Sequence, residues 1–458
     1  MPENLSSHSL GRQSLPRQST IQTAPYPQSY YTATKSEAPE RISLSRAVEA
    51  DVCIIGGGLA GLTTALELKR RGQETVLLEA NRIGWGASGR NGGFVSAGYS
   101  EGLSGLIAKS GLEDARALYQ LSREGVAYVR RKTAAWPDAD IGPVEGRLSV
   151  LRSDGGPRLM AMRDRLERDF EHAMVYWPTE RVRDALQTER YFQGLQDPDG
   201  FHIHPLNYAL ALAREAEQAG VTIYESTRAL ALERKGGQHL VRCAGGQICA
   251  RELVFCTSGY GGRLFPPLNR ALLPIATYMV ASRPLDDDER KAISLPYAIS
   301  DERRAGDYYR LYRGRLLWGG RITTRREEPK ALGHLLKRDF TSVYPALGRL
   351  QLAYAWSGLM GYALHKMPLI GPCGADARGD GPPQDGLWMA TGFGGHGLNT
   401  TAMAGELIAR AIAEKDDRWK LFRPYPRQPV GGALGQAAVQ LTYWAMQLRD
   451  WLDERRSV

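Results

Sequence analysis

The hydrophobic pattern begins after a long polar stretch. Val52, Ile54 and Ile55 form a short, nearly continuous apolar run, which reads as a strand buried on both faces. Helical spacing follows over residues 62–71, then a second apolar strand, Thr75–Leu78, closed by Glu79. Strand, helix and strand in that order predict a parallel sheet. Downstream, apolar positions at Ala115, Leu118, Leu121, Val126 and Val129 predict a helix over 112–135. A short strand pair at 146–153 and a charged helix at 158–173 come next. His204-Pro205 introduces a helix over 206–218, ended by Gly220 and followed by a strand at 221–224. Hairpin strands are predicted at 229–234, 239–243 and 247–250, with 253–256 returning to the parallel sheet. Alternation resumes at 274–283 and 307–322, with a helix near 330–343. A strand at 387–390 precedes a loop and long helix over 391–412, and a final amphipathic helix spans 433–451.

Gly56, Gly58 and Gly61 spell G-x-G-x-x-G between the first strand and its helix, and Glu79 lies eighteen residues beyond Gly61. The glycines suit a tight turn, close backbone approach to a pyrophosphate and close helix–strand packing, while the acid suits a ribose. The helix N-terminus faces the phosphates with free amides and a positive dipole end. A second glycine-rich run, IGWGASGRNGG, follows at 83–93 and points to a flavin enzyme. Gly392, Gly394 and Gly397 repeat the glycine spacing, but no strand with a terminal acid follows, so this turn is read as a helix N-terminus facing the flavin.

The fold class is therefore α/β with an α+β second domain: a Rossmann-type FAD-binding domain interleaved with a mixed-sheet substrate domain. The FAD-binding domain takes 46–135, 196–273 and 362–425, the substrate domain 136–195 and 274–361, and the C-terminal helix 426–458. Residues 1–45, rich in Ser, Gln, Pro and Arg, are expected to be disordered, with Tyr30 and Tyr31 the part that docks. For the C-terminal helix, packing on the body through Leu434, Ala438, Leu441, Ala445, Leu448 and Leu452 competes with contact at a membrane surface.

At 458 residues, 43% hydrophobic and 24% charged, the chain can bury the cores of two domains. The net charge of +9 is scattered rather than clustered, which argues against a nucleic-acid partner. Five cysteines without C-x-x-C or His/Cys spacing imply no metal site and a reducing compartment. The absence of a bilayer-length apolar stretch and of a secretory pattern completes an expected cytoplasmic location.

The nucleotide fold, GWGASGRNGG, WSGLMG at 356–361 and the late GFGGHG together resemble the FAD-dependent amino-acid and amine oxidase family, over roughly residues 48–455. The strings GASGRNGG, SYY and LRDWL resemble the branch that acts on gamma-glutamylputrescine. The resemblance implies oxidation of an amine or amino acid by hydride transfer to flavin N5, with the imine then hydrolysed. It places Gly56, Gly58, Leu59, Ala60 and Gly61 at the pyrophosphate, and Glu79 and Ala80 at the adenosine. Arg82, Ala87, Ser88, Arg90, Asn91 and Gly92 would wrap the ribityl chain and ring. Ala229 matches the adenine-contact strand, and Thr257, Ser258 and Gly259 a turn near the pyrophosphate. Gly394, Gly395, His396, Gly397 and Leu398 would sit at the flavin pyrimidine.

Four residues are candidates for the chemistry. His396 is either an acid–base group or a residue holding the turn, and His365 is either near the flavin or simply packed. Tyr309 and Arg310 either face the substrate, with Arg310 pairing a distal carboxylate, or lie on a strand face away from it. Compared with sarcosine oxidases, the segment 356–363 lacks a tethering cysteine, with Gly358 at that place, so non-covalent FAD is expected. Asn399 stands where those enzymes hold a carboxylate-binding lysine, and Leu317 near their oxygen-activating lysine, which leaves O2 or another electron acceptor open. The alternatives are a flavin dehydrogenase of an N-methyl or D-amino acid, or a flavoprotein whose FAD is structural.

Overall fold

A computed structural model describes residues 24–303, 306–373 and 386–456; the start of the predicted tail, 1–23, lies outside the described residues. One sheet has eight strands. Its main order is Leu369–Pro372, Leu387–Thr391, Gln247–Phe255, Ala47–Ile55, Thr75–Leu78 and Thr222–Tyr224, with the hairpin Ala231–Lys235 and Gln238–Arg242 laid on Gln247–Phe255. From Leu387–Thr391 to Thr222–Tyr224 the strands run parallel. Val52 and Ile54 enter one core cluster and Cys53 and Ile55 another, so the apolar run of the first strand is buried on both faces. The helices Leu59–Arg70, Leu103–Ala135, Pro205–Gln218 and Gly397–Ala413 supply the larger cluster.

The second sheet has nine strands, ordered Leu352–Tyr362, Leu273–Ser282, Arg315–Thr323, Tyr308–Tyr312, Ala298–Asp301, Val144–Val150, Gly194–His202 and Phe94–Val95, with Val175–Trp177 paired to Gly194–His202. It is mixed: Ala298–Asp301 runs parallel to Val144–Val150 and the other pairings are antiparallel. One face carries the helix Leu332–Val343, through Leu336 and Phe340, over Trp318 and Tyr309.

Several predicted elements need correcting. Residues 247–250 and 253–256 are one strand, Gln247–Phe255, because Arg251 and Glu252, read as a break, are held at its side by Asp51 at 2.6 Å and the Trp388 indole at 2.8 Å. The predicted strand 307–322 is a hairpin that turns at Arg313 and Gly314, with φ of 50° and 69°. Gly194–His202, cut by a boundary at 196, lies whole in the nine-stranded sheet.

The expected disorder of 1–45 fails for the described part of that segment. Tyr30–Ala33 is a short helix capped by Ser29, and Tyr30 and Tyr31 are 2% and 0% exposed. Two rings carry enough apolar area to offset the ordering of a few residues. The C-terminal helix, Gly432–Arg456, docks by Val439 and Tyr443 against the Leu273, Ile275 and Val430 cluster, with Gln440 Oε1 accepting from Thr323 and Thr324. The predicted stripe faces outward instead, Leu434 at 84% and Leu441 at 60% exposure. Periodicity finds a stripe on a helix but does not say which neighbour meets it. No helix among the described residues is long and apolar enough to cross a membrane.

Candidate active site

The strand Ala47–Ile55 ends in the turn that opens Leu59–Arg70. Gly56 has φ of 115°, and a Cβ there would lie 2.6 Å from the Cys256 carbonyl oxygen, so only glycine fits. A Cβ at Gly61 would collide with the Gly56 carbonyl oxygen. Gly58 caps the helix without a side-chain bond; Leu59 N donates to Ser88 Oγ at 3.0 Å, and the amides of Ala60 and Gly61 belong to the unpaired first turn. Glu79 accepts from Gly57 N at 2.7 Å and Asn81 N at 2.8 Å. Burial pushes its carboxyl up, and those two amides oppose the shift. Thr227 N donates to the Glu79 carbonyl at 2.8 Å, which brings the loop leading to Ala229 alongside Glu79 and Ala80. Arg82 is held by Glu225 at 2.9 Å.

The second glycine-rich run folds back on itself. Asn91 Nδ2 donates to the Ala87 and Ser88 carbonyls, both at 3.0 Å, and its Oδ1 accepts from Gly93 N at 2.8 Å. Arg90 donates to the carbonyls of Trp85 and Gly86 and, at 3.3 Å, of Ser357, while Trp356 Nε1 donates to the Arg90 carbonyl at 2.9 Å. The loop is thereby clamped to Leu352–Tyr362, with Gly92 against the Tyr308 ring. At the next turn, Ser258 N donates to Thr391 Oγ1 at 3.0 Å and Ser258 Oγ accepts from Gly361 N at 3.2 Å, so Thr257, Ser258 and Gly259 join both sheets.

Gly397–Ala413 presents a second helix N-terminus without a side-chain cap, at His396. Gly394 N donates to the Gly361 carbonyl at 3.0 Å and Gly395 N to Ser100 Oγ at 3.0 Å; a Cβ at Gly397 would meet nothing within 4 Å, and Leu398 is buried behind it. Two uncapped helix N-termini, a glycine turn that admits no side chain and a ribose-type acid fit a dinucleotide that carries a flavin.

A cavity of about 460 Å³ lies between the nine-stranded sheet and the helices Leu103–Ala135 and Gly156–Phe170, and reaches His396. Its apolar wall includes Leu103, Leu106, Leu159, Leu166 and Leu195, and its polar wall Arg147, His172 and Asp197. Half-buried His396 is pushed down to about 4 by burial and then by the Arg147 charge, so it stays neutral near pH 7. His172, Asp197 and Asp199 lie close enough together to suit a cation, but a hydrogen-bond chain links them to Tyr119, with Tyr119 Oη 2.7 Å from His172 Nδ1 and His172 Nε2 3.1 Å from Asp197.

Of the four chemical candidates, only His396 lines this cavity. Tyr309 lies on the opposite face of its strand, stacked on Trp318 at 4.2 Å with its hydroxyl 2.9 Å from that of Tyr344. Strand alternation puts Tyr308, not Tyr309, on the face that meets Gly92. Arg310 shares the Tyr308 face but is 1% exposed, behind Gly93, where it donates to His202 Nδ1 at 2.7 Å and Tyr31 Oη at 2.9 Å. It is withdrawn from the cavity, which corrects its substrate-facing reading. Both nitrogens of His365 bond backbone, Nε2 to the Pro426 carbonyl at 3.1 Å and Nδ1 from Met367 N at 3.2 Å, so it fastens the C-terminal segment. Sequence reasoning missed Arg147, whose only signal was its polar place between apolar neighbours in GRLSV.

The model of the family described as FAD dependent oxidoreductase matches residues 51–411. Gamma-glutamylputrescine oxidoreductase of Escherichia coli strain K12 is 30% identical over 409 residues, 88% of this chain and 93% of that protein. Among solved structures, glycine oxidase from Bacillus cereus ATCC 14579 is similar at TM-score 0.66 and 21% identity, covering 81% of this chain and 97% of that one. L-proline dehydrogenase from P. horikoshii is similar at TM-score 0.68 and 18% identity, covering 82% and 97%. These two share the fold. With both glycine turns and the second uncapped helix N-terminus inside the matched span, the chain belongs to the DAO family of FAD-dependent oxidoreductases and its cofactor is FAD.

Proposed function

We propose that this enzyme oxidises a C–N bond of an amine of the gamma-glutamylputrescine type, giving an imine that water hydrolyses to a carbonyl and an amine. The observation that carries the reading is the cavity at His396, whose leucine wall suits a polymethylene chain; similarity to gamma-glutamylputrescine oxidoreductase over 93% of its length supports it. Bound FAD supplies the hydride acceptor. Gly56, Gly58, Leu59, Ala60 and Gly61 would hold its pyrophosphate, Glu79, Ala80 and Ala229 its adenosine, and Gly394 to Leu398 the pyrimidine edge. The protein's own part is to orient the donor and exclude water.

His396 is neutral near pH 7, so it places no cation against an amine donor and has no proton to give. The donor has only to arrive unprotonated. Asn399 argues against a small N-methyl amino acid, because its amide donates to the Gly98 carbonyl at 3.3 Å and the Ser122 carbonyl at 3.4 Å and offers no cation. Leu317 is fully buried opposite Arg310, so its position brings no lysine to activate oxygen, which favours an acceptor other than O2.

The test is anaerobic titration of the yellow protein with gamma-glutamylputrescine, putrescine, sarcosine and D-alanine, followed by air. Bleaching by gamma-glutamylputrescine and slow return of colour in air are expected. A flavin that no amine bleaches overturns the proposal.

A further inference from the structure

Arg147 is a cation of the donor cavity without a bonded counter-charge. Its strand, Val144–Val150, sends Leu148 into the core beneath the sheet, while Arg147 and Ser149 line the cavity. The Arg147 Nε is buried with no hydrogen-bond partner, and its guanidinium makes no ion pair among the described residues. Among the described residues, neither Glu101 nor Asp197, whose carboxyl the Arg147 charge helps hold down, makes an ion pair with Arg147, and the other acids of the lining are taken. Asp197, opposite in register, accepts from His172 at 3.1 Å and Asp199 N at 3.0 Å; Asp301 takes Arg152 at 3.0 Å and Arg303 at 2.7 Å; Glu302 accepts from Arg152 N at 2.7 Å.

A buried donor left unpaired is costly, and a carboxylate matches the fork of a guanidinium with two parallel hydrogen bonds. The cavity combines that fork with a leucine wall and a neutral histidine. We infer that Arg147 binds a carboxylate of the donor in this cavity, and so selects amines with a carboxylate-bearing tail over the same amines without one. The inference builds on the proposed amine oxidation, and it names the residue that sets the substrate class.

The test compares gamma-glutamylputrescine with N-acetylputrescine, which keeps the primary amine and lacks the carboxylate. Anaerobic flavin reduction is followed in the wild type, Arg147→Met and Arg147→Lys, and the ratio of the two substrates' efficiencies (limiting rate over half-saturating concentration) is read. The ratio should fall roughly 10- to 100-fold in Arg147→Met, the range for a hydrogen bond between charged groups, and markedly less in Arg147→Lys, which keeps the charge. Should Arg147→Met not fold, a loss of several-fold in the lysine variant carries the test. A ratio unchanged in the variants while both amines still bleach the flavin overturns the carboxylate assignment and leaves amine oxidation standing.

If no amine bleaches any variant, the proposed function falls and glutarate decides the site by its effect on the flavin spectrum. A perturbation in the wild type that Arg147→Met abolishes upholds the carboxylate site. No perturbation overturns it.

Discussion

The hydroxyl of Tyr31 accepts a 2.9 Å hydrogen bond from Nη2 of Arg310 and so ties the N-terminal segment to a guanidinium at the centre of the nine-stranded sheet. Arg310 is 1% exposed, and its other donor bond goes to His202, which donates through Nε2 to the Pro296 carbonyl at 2.8 Å. Tyr31 therefore does more than fill space. It satisfies one arm of a buried cation whose Nε has no partner.

Tyr31→Phe keeps the ring and removes that acceptor. The cost should be about 1.5–3 kcal/mol, the range for hydrogen bonds to charged groups, read from urea unfolding of the holoenzyme. A change below about 0.5 kcal/mol would mean that another group takes over the arm.

Acid should unfold the protein through its buried histidines. The ordinary imidazole value of 6.5 is pushed down to about 3 in His204 and about 4 in His396, mainly by burial. Below 6.5 the unfolded chain binds these two protons and the folded chain does not, so stability is present above that value and falls as pH drops toward 4. Asp307 works the other way: burial raises it to about 6, so the folded state holds a proton that the unfolded state has released, and this adds stability on acidification between 6 and the ordinary 3.8. The four lowered histidines, His202, His204, His365 and His396, outnumber the raised carboxyls of Asp307, Glu79 and Glu302, so the balance is a loss of stability as pH falls from 6 toward 4. Urea midpoints measured across that window should decline with pH. A flat profile would mean that these imidazoles are protonated in the folded state.

Arg90→Lys should weaken FAD binding by roughly tenfold, because a single ammonium cannot reproduce a fork that reaches the carbonyls of Trp85, Gly86 and Ser357. Flavin fluorescence quenching on titration into apoprotein measures it. Unchanged affinity would show that Trp356, which donates to the Arg90 carbonyl, suffices to hold the loop.

Acid precipitation should release all of the flavin into the supernatant. Cys53, Cys256 and Cys373 are buried, and burial pushes the thiols of Cys256 and Cys373 up to about 12, which keeps them from acting as thiolates. Gly358, where a tethering cysteine would stand, packs on the methylenes of Arg90. A yellow pellet would contradict this.

The glycine turns and the acid at the end of the second strand were legible because their geometry depends on local backbone. A turn that excludes side chains leaves glycines at fixed spacing, as at Gly56 and Gly61, and the acid at Glu79 follows from the length of one strand–helix–strand unit. Asn91 was found as part of the loop string, but its amide closes the loop on itself, which spacing alone does not reveal. The donor side was less legible. Tyr309 and Arg310 are neighbours in sequence and face opposite ways, Tyr309 under the helix Leu332–Val343 and Arg310 behind Gly93. Neither lines the cavity, which depends on which face of the sheet that helix covers.

By itself the sequence determined the parallel nucleotide fold, the two glycine turns, the uncapped helix at His396 and, through them, the cofactor, because each is written in a contiguous stretch whose backbone geometry selects its residues. Only the tertiary structure decided that Tyr31 reaches Arg310, that Arg147 stands unpaired opposite Asp197, and that the C-terminal helix docks by Val439 and Tyr443. Those contacts join residues far apart in the chain. Periodicity tells which way a side chain leaves its own strand or helix, whereas its partner is set by how sheets and helices stack.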